Sequence, residues 1–574
     1  MKQSTVQELY TLEGKKLHNN PDVIAWDAYP RPQMMRDSYL NLNGWWEFAV
    51  TDNDEKPSEY SERIRVPFCP ESLLSEIHRI PPEEARLFYR RTFTLPDDFC
   101  RGRVLLHFGA ADQIATVWVN GVEVVSHEGG YMPFSADITD VMQEENTVVV
   151  RVTDHLEDHV LPYGKQRRDR GGMWYTPVSG LWQTVWLESV PREYIRSIKI
   201  DVTLDTAKIT VDGVSEGEVM VTIPDGEVIC PLRNGRATVT PKNPRLWSPK
   251  DPYLYSFTIR AGEDAVQSYF ALRTVDVRRI DGIPRICLNG EPIFLHALLD
   301  QGYWSDGLFL PAQPTGMDED VAFAQSLGFN TLRKHIKIEP EQFYYACDRA
   351  GMLVWQDMVN NGDYSFLRDT ALPTVGLKKL NDRRLHRDAA TRRAFEEGMV
   401  QTVERLYNHP CIIGWTIFNE GWGQFDSTRM VRRLRELDAT RIIDGASGWF
   451  CGGESDVVSP HVYFKSVRFR VADKPTLLSE FGGYVYKVAE HSFNADKTFG
   501  YRFYTEQSAF EGALLQLYKE QIIPVVSKGL CGAVYTQISD VEDETNGLVT
   551  YDRRVIKVDA AKMREIAKLL QNYG

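Results

Sequence analysis

The sequence predicts three domains in series: an all-β jelly-roll sandwich over residues 1–190, an immunoglobulin-like β-sandwich over 191–278, and a (β/α)8 TIM barrel over 279–574. Three observations predict this. A chain of 574 residues is too long for one ordinary domain. Up to about residue 280, short runs of Val, Ile, Phe and Trp alternate with turn residues, and no helical period of 3.6 appears. After Asp281 the texture changes to short apolar strands separated by long amphipathic helices, which indicates βα units around a parallel sheet.

In the first stretch the clearest element is VWVNGVEVV (117–125), two alternating strands joined by Asn120-Gly121, the pair that a two-residue hairpin turn demands. A sandwich or jelly roll follows naturally. The second stretch carries its own turn signals in IPDGEV, PLRNGRA and NPRLWSPKDPYLY. At fewer than about a hundred residues it has the size of an immunoglobulin-like sandwich. One larger β domain covering both stretches is the alternative. Barrel strands are expected at PIFLHA (292–297), NTLRK (330–334), MLVWQD (352–357), CIIGWTIFNE (411–420), RIIDGA (441–446), VVSPHVY (457–463), TLLSE (476–480) and CGAVYTQI (531–538). Helices such as DAATRRAFEEGMVQTVERLYN and EGALLQLYKEQIIPVV lie between them, and DAAKMREIAKLLQNY closes the chain. Eight strands in this length match a β/α barrel.

Composition bounds the partners. Hydrophobic residues at 43% and charged residues at 25% are the mix of a globular protein, and a net charge of −14 disfavours nucleic acid and anionic membranes as partners. Eight scattered cysteines with no CxxC pair suggest free thiols in a reducing compartment and no zinc site. The N-terminal MKQSTVQELYTLEGKKLHNN lacks the apolar run of a signal peptide, and no window offers eighteen uncharged apolar residues. A cytoplasmic protein with no membrane partner is therefore expected, and the two β domains leave broad surfaces for a homo-oligomer. No Walker motif and no GxGxxG after a strand are present, so no cofactor is expected. His155 and His159 in HLEDH have helical spacing but sit in β-rich sequence outside the HExxH order, so no metal is expected either.

The functional signal lies at two strand ends. The fourth barrel strand is apolar until it stops on Asn419 and Glu420, and the seventh stops on Glu480. In this fold the chemistry sits where the strands leave the packed interior, so both glutamates are expected to face each other across the mouth. Two facing carboxyl groups suit glycosidic bond cleavage: one protonates the leaving oxygen, and the other attacks the anomeric carbon or activates water. A gap of roughly 5–5.5 Å goes with retention and a wider one with inversion, which sequence spacing leaves open. Arg333 ending the second strand and Tyr463 ending the sixth are placed to favour an ionised nucleophile. Trp304, Trp355, Trp422, Tyr303, Tyr484 and Tyr504 fall in strand ends and loops, where rings serve as core more often than as sugar platforms.

These residues sit in motifs that resemble glycoside hydrolase family 2. LNLNGWWEFAV (40–50), LFYRRTF (87–93), VWVNG, HEGGYMPFSADIT (127–139) and SGLWQTVWLE (179–188) resemble its first domain. PRLWSPKDPYLY (244–255) and the stretch Phe270 to Arg273 resemble its second domain. LNGEPIFL (288–295), LGFNTLRKHI (327–336), CDRAGMLVWQDM (347–358), WTIFNE and LLSEFGG resemble its catalytic barrel, so the resemblance covers nearly the whole chain. It implies Glu420 as general acid/base and Glu480 as nucleophile of a retaining double displacement. Asn419 is implied to bond the sugar 2-hydroxyl and Tyr463 to hold the nucleophile, and Arg333 and His335 correspond to family positions. Asp300, Asp357, Trp422 and Gln537 complete the expected substrate-binding set, with Asp306 and Glu544 also expected to shape the pocket.

The departures concern the sugar. LLDQGYWSDG (298–307) follows the first strand where many relatives carry a basic stretch, placing Asp300 and Gln301 there. The Asn-x-Lys element with which glucuronidases grip the sugar carboxylate is missing from DVEDETNGLVTYDRR (540–554), although Lys334, Arg553 or Arg554 are available as substitutes. The expectation is a metal-independent retaining exo-β-glycosidase, β-galactosidase-like, acting on a small-molecule or oligosaccharide β-glycoside. A β-glucuronidase or a pentose- or furanose-specific relative is the alternative enzyme. A carbohydrate-binding protein on an inactive barrel is the alternative of another class.

Overall fold

The computed structural model describes residues 6–374, 376–377 and 381–571. Its first unit is a jelly-roll sandwich. A four-stranded sheet runs in the order Tyr39–Asn41, Val185–Val190, Arg103–Phe108, Phe134–Asp137. The six-stranded sheet runs Glu62–Val66, Gly44–Thr51, Arg86–Phe93, Asn146–Thr153, Ile114–Val119, Val122–Glu128. Strict alternation along Asn146–Thr153 turns Val148, Val150 and Val152 into a core with Phe48, Tyr89 and Leu106. At the predicted hairpin Asn120 and Gly121 both have positive φ (51° and 85°), as the tight turn requires.

The immunoglobulin-like unit is built from seven antiparallel strands between Ser197 and Phe270 around Ile198, Val211, Val219, Leu232, Phe257 and Phe270. A three-stranded sheet, Val275–Ile280, Ile283–Leu288 and Glu291–Pro292, follows it, and Ile286 and Leu288 belong to the core of the barrel.

The barrel strands are β1 (Leu295–Asp300), β2 (Thr331–Lys334), β3 (Leu353–Asp357), β4 (Ile412–Asn419), β5 (Ile442–Ser447), β6 (His461–Val462), β7 (Thr476–Gly482) and β8 (Leu530–Thr536). They pair in parallel in the order β5-β4-β3-β2-β1-β8-β7-β6, and a parallel bridge from Gly448 to Pro460 joins β5 to β6. Two of these differ from the sequence reading by more than two residues at an end, while β7 runs two residues past Glu480 and β8 stops two residues short of its expected end. β1 begins three residues later than expected, because Glu291 and Pro292 pair back to Leu288 and Cys287, and Asp300 therefore ends the strand itself. β6 keeps only two residues in the ladder, since Val458 and Pro460 make isolated bridges instead. The last helix spans Ala560–Leu570, and the remainder of the predicted segment lies partly outside the described residues. Among the described residues no helix is long and apolar enough to cross a membrane.

The connection from Thr153 to Gly180 leaves the first sandwich and lies against the barrel. Tyr163 and Gly164 donate their N–H groups to Asn360 O (3.1 and 3.4 Å), and Thr176 donates to Glu542 (2.8 Å). Gly164 has φ +67°, and a Cβ there would lie 2.9 Å from the Ile336 carbonyl oxygen, so the close approach requires glycine.

Candidate active site

Glu420 follows β4 directly, with φ +51°, a conformation that residues other than glycine rarely adopt. Its N–H donates to Ser447 O (3.0 Å). Glu480 lies within β7, in register beside His461 of β6. The two glutamates and His461 each offer an oxygen or nitrogen within 4.8 Å of the others. His461 Nδ1 is 2.8 Å from Glu420 Oε1 and 3.4 Å from Glu480 Oε2, and its buried Nε2 has no partner among the described residues. Room for this arrangement comes from Gly448: a Cβ there would be 3.1 Å from His461 Nδ1 and 3.3 Å from Glu420 Cγ.

Arg333 is the hub beneath the pair. Fully buried, it donates to Asp357 (3.0 Å), the Ser479 carbonyl (2.8 Å), Glu480 Oε1 (3.1 Å), Asn419 Oδ1 (3.0 Å) and Ser447 Oγ (2.9 Å). Ser447 Oγ also donates to Asn419 Oδ1 (2.7 Å), so the amide oxygen is committed to the protein. His335 Nδ1 meets Asp357 (2.7 Å), and its Nε2 stands 4.0 Å from Glu480. Tyr463 donates its hydroxyl to Glu480, lies 3.0 Å from Thr536 Oγ1 and stacks on Tyr501 at 3.8 Å.

These contacts fix the charge state of the site. Burial alone would raise the proton affinity of Glu480, but His461, Arg333 and the Tyr463 hydroxyl outweigh it and hold this carboxyl below the usual range. Of these, Arg333 is charged at every relevant pH. Burial, reinforced by the nearby charge of Lys165, pushes His335 well down, toward the neutral ring. Asp357 is raised by burial in spite of Arg333.

The structure therefore brings together Glu420, Glu480, Asn419, Arg333, His335, Asp357 and Tyr463. Trp422, two residues after Glu420, is buried and stacks at 5.2 Å on Trp174 from the first sandwich. Gln537 donates to Asn546 Oδ1 (2.9 Å), and the nearby carboxyl of Glu544 receives the Tyr175 hydroxyl.

Other expected pocket residues are committed elsewhere. Asp300 ends β1 and is held by Lys334 (2.6 Å) and the Gly302 N–H (2.9 Å), and among the described residues it shares no hydrogen-bond partner with either glutamate. Asp306 accepts from the backbone N–H and the hydroxyl of Thr11. Trp355 is a barrel-wall residue bonded to Thr416 (2.8 Å), and Trp304 lies under Arg553 at 4.0 Å. Tyr303 packs on Tyr175 and Phe309, and Tyr484 pairs with Tyr504 at 5.6 Å. His159 pairs with Asp363 (2.9 Å) at a short 3-10 turn, where the chain is not helical enough to align it with His155.

Sequence reasoning missed His461, Lys165, Trp174, Tyr175 and Tyr501. His461 stands two residues before Tyr463 in a segment already recognised as a strand, which is the one signal that points to it.

The sequence matches "Glycosyl hydrolases family 2, sugar binding domain" over residues 43–191, "Glycosyl hydrolases family 2" over 191–273 and "Glycosyl hydrolases family 2, TIM barrel domain" over 312–555. The chain belongs to glycoside hydrolase family 2. It is a glycoside hydrolase by that membership. This family 2 chain is 25% identical over 441 residues to the β-galactosidase of Thermoanaerobacter pseudethanolicus, covering 71% of itself but only 55% of that protein. It is also 25% identical over 497 residues to the β-glucuronidase of Felis catus, covering 76% and 72%. The fold recurs in the β-D-glucuronidase of Dictyoglomus thermophilum, with a TM-score of 0.71 at 18% identity over 94% of this chain and 98% of that one. It recurs again in a β-galacturonidase from Eisenbergiella tayi, with a TM-score of 0.68 at 20% identity over 96% and 99%.

Proposed function

We propose that this chain is a retaining exo-β-glycosidase that removes a terminal β-linked sugar by double displacement. One observation carries the reading: carboxyl oxygens of Glu420 and Glu480 approach within 4.8 Å, which suits direct attack and leaves little room for a water held between the two groups. In the first step the ionised Glu480 attacks the anomeric carbon, and the bond to the aglycone oxygen breaks as that oxygen takes a proton from Glu420. In the second, Glu420 takes a proton from water, the water oxygen attacks the anomeric carbon, and Glu480 leaves as carboxylate.

Arg333 and Tyr463 keep Glu480 ionised and aimed. The Nδ2 of Asn419 makes no hydrogen bond within the described protein, so it is free to meet the sugar 2-hydroxyl, a contact that strengthens in the oxocarbenium-like transition state. His461 Nδ1 stands between the two carboxyls, 2.8 Å from Glu420 and 3.4 Å from Glu480, and so keeps the pair in place through both steps.

The relatives named as β-galactosidase and β-glucuronidase divide the choice of sugar between a neutral glycone and a uronic acid. A panel of aryl β-glycosides with proton NMR of the first product tests the reaction class. Retention predicts the β-anomer first; an α-anomer first would sink the assignment of Glu480 as nucleophile.

A further inference from the structure

Among the described residues most cations around the barrel mouth are already paired; Arg167, half-buried and stacked on Trp174 at 4.0 Å, and the more deeply buried Lys165 form no ion pair. Arg333 meets Asp357 and Glu480, and Lys334 lies 2.6 Å from Asp300 and 2.8 Å from Glu339. Lys337 sits 2.9 Å from Glu339, Arg553 3.0 Å from Asp320, Lys557 2.6 Å from Asp540 and Arg170 3.3 Å from Glu542. Lys334 and Arg553, the substitutes that the sequence offered for a carboxylate grip, are thus neutralised within the protein, and Arg554 stands 3.9 Å from Asp552.

Lys165 differs. It is only 8% exposed, yet among the described residues its Nζ makes no hydrogen bond and no ion pair. Its neighbours are the ring faces of Tyr175 (5.5 Å) and Trp422 (5.7 Å). Trp422 follows Glu420 by two residues, and the lysine charge is felt by His335, which stands 4.0 Å from Glu480. Lys165 therefore stands at the sugar pocket although it comes from the first sandwich.

Its place is fixed from behind. Tyr163 and Gly164 bond to Asn360, and the Gly164 backbone packs on Ile336 too tightly for any side chain. Glu544 feels the charge of Lys165 but forms no ion pair with it among the described residues: it already receives the Tyr175 hydroxyl, and burial pushes it toward its neutral form in spite of that charge. Most of the side chain is buried and only its tip retains access to water, so an anionic ligand at the mouth would supply the opposite charge that the protein does not place against it.

We propose that Lys165 receives the carboxylate of a uronic acid, so that the substrate is a β-linked uronide gripped by a lysine of the β-sandwich and not by the loop after β8. This rests on the glycosidase reading above. The sugar carboxylate is ionised at neutral pH and forms a charge-assisted hydrogen bond with Nζ, while a neutral sugar would leave the ammonium uncompensated.

The test compares 4-nitrophenyl β-glucuronide and β-galacturonide with the matching β-glucoside and β-galactoside, on the full chain and its Lys165→Gln and Lys165→Arg variants. The wild-type chain is expected to favour one uronide over its neutral counterpart in kcat/KM by at least ~100-fold. Lys165→Gln should lower that ratio by about 100-fold, the scale of a lost charge-assisted hydrogen bond, with Lys165→Arg retaining more of it. A preference for the neutral sugar, or a ratio unmoved in Lys165→Gln, overturns the proposal. If no glycoside is turned over, the glycosidase reading falls. Calorimetry with free glucuronate and galacturonate then still decides: binding lost in Lys165→Gln supports the lysine's role, and no binding to the wild-type chain ends it.

Discussion

Two buried glutamates in this molecule look alike in charge and differ in use. Glu188, at the junction of the two β-sandwiches, accepts from Arg31 (2.6 Å), Arg36 (3.1 Å), the Trp186 indole (3.1 Å) and the Tyr29 hydroxyl, while Arg36 continues to Asp264 (2.9 Å). Glu480 at the barrel mouth is likewise held by an arginine and a tyrosine. Burial works against ionisation in both, and neighbouring cations overcome it in both; Glu188 is brought down to about 2. A depressed carboxyl therefore does not mark an active site by itself. What separates the two is saturation. The oxygens of Glu188 are ringed by donors, whereas Glu480 faces a second carboxylate across an imidazole.

That contrast can be broken from either side. The largest effect is expected at Glu480→Gln: kcat/KM should fall by ~10⁵-fold, the scale seen when a covalent nucleophile is removed, while the variant stays folded at the assay temperature in thermal unfolding. Glu420→Gln should lower turnover by about 10²–10⁴-fold on substrates with poor leaving groups and far less on dinitrophenyl glycosides, which need no proton. Added azide should restore the second step with these activated substrates and give a β-glycosyl azide, since it needs no base.

Glu188→Gln should do the reverse, costing about 3 kcal/mol of stability because Arg31 loses its ion-pair partner and Arg36 keeps only Asp264, with kcat/KM of the folded fraction unchanged. The pH dependence has a definite sign. The folded value of Glu188 is depressed, so its stabilisation is present above the unfolded carboxyl value of about 4.3 and is lost as pH falls toward about 2. Wild-type stability should decline over that window, and the Glu188→Gln curve should be flatter there in urea titrations. The smallest effect is expected for Tyr463→Phe. Removing a donor to ionised Glu480 raises its proton affinity, so the acid limb of kcat/KM should move to higher pH, by about one unit at most.

Much of the site was legible because barrel chemistry sits at strand ends. An apolar run ending on Asn419-Glu420 and another ending on Glu480 located the pair, and the ends of β2 and β3 located Arg333 and Asp357. The misplacement of β1 has a physical cause: Glu291-Pro292 pairs backward into a hairpin, which apolar pattern alone does not reveal. Asp300, Asp306 and Trp304 resembled pocket residues by position, but partners far along the chain, Lys334, Thr11 and Arg553, take them up. Lys165 and Trp174 were hidden for a different reason: they reach the mouth from another domain, and no local pattern records a contact across more than two hundred residues.

The central claim is a covalent intermediate on Glu480. Incubation with a 2-deoxy-2-fluoro glycosyl fluoride of the preferred sugar, followed by peptide mass spectrometry, tests it most directly. The account predicts stoichiometric, time-dependent inactivation with the label on the peptide carrying TLLSE, at Glu480. Turnover of the natural glycoside with no label at Glu480, or with the label on Glu420, would contradict it.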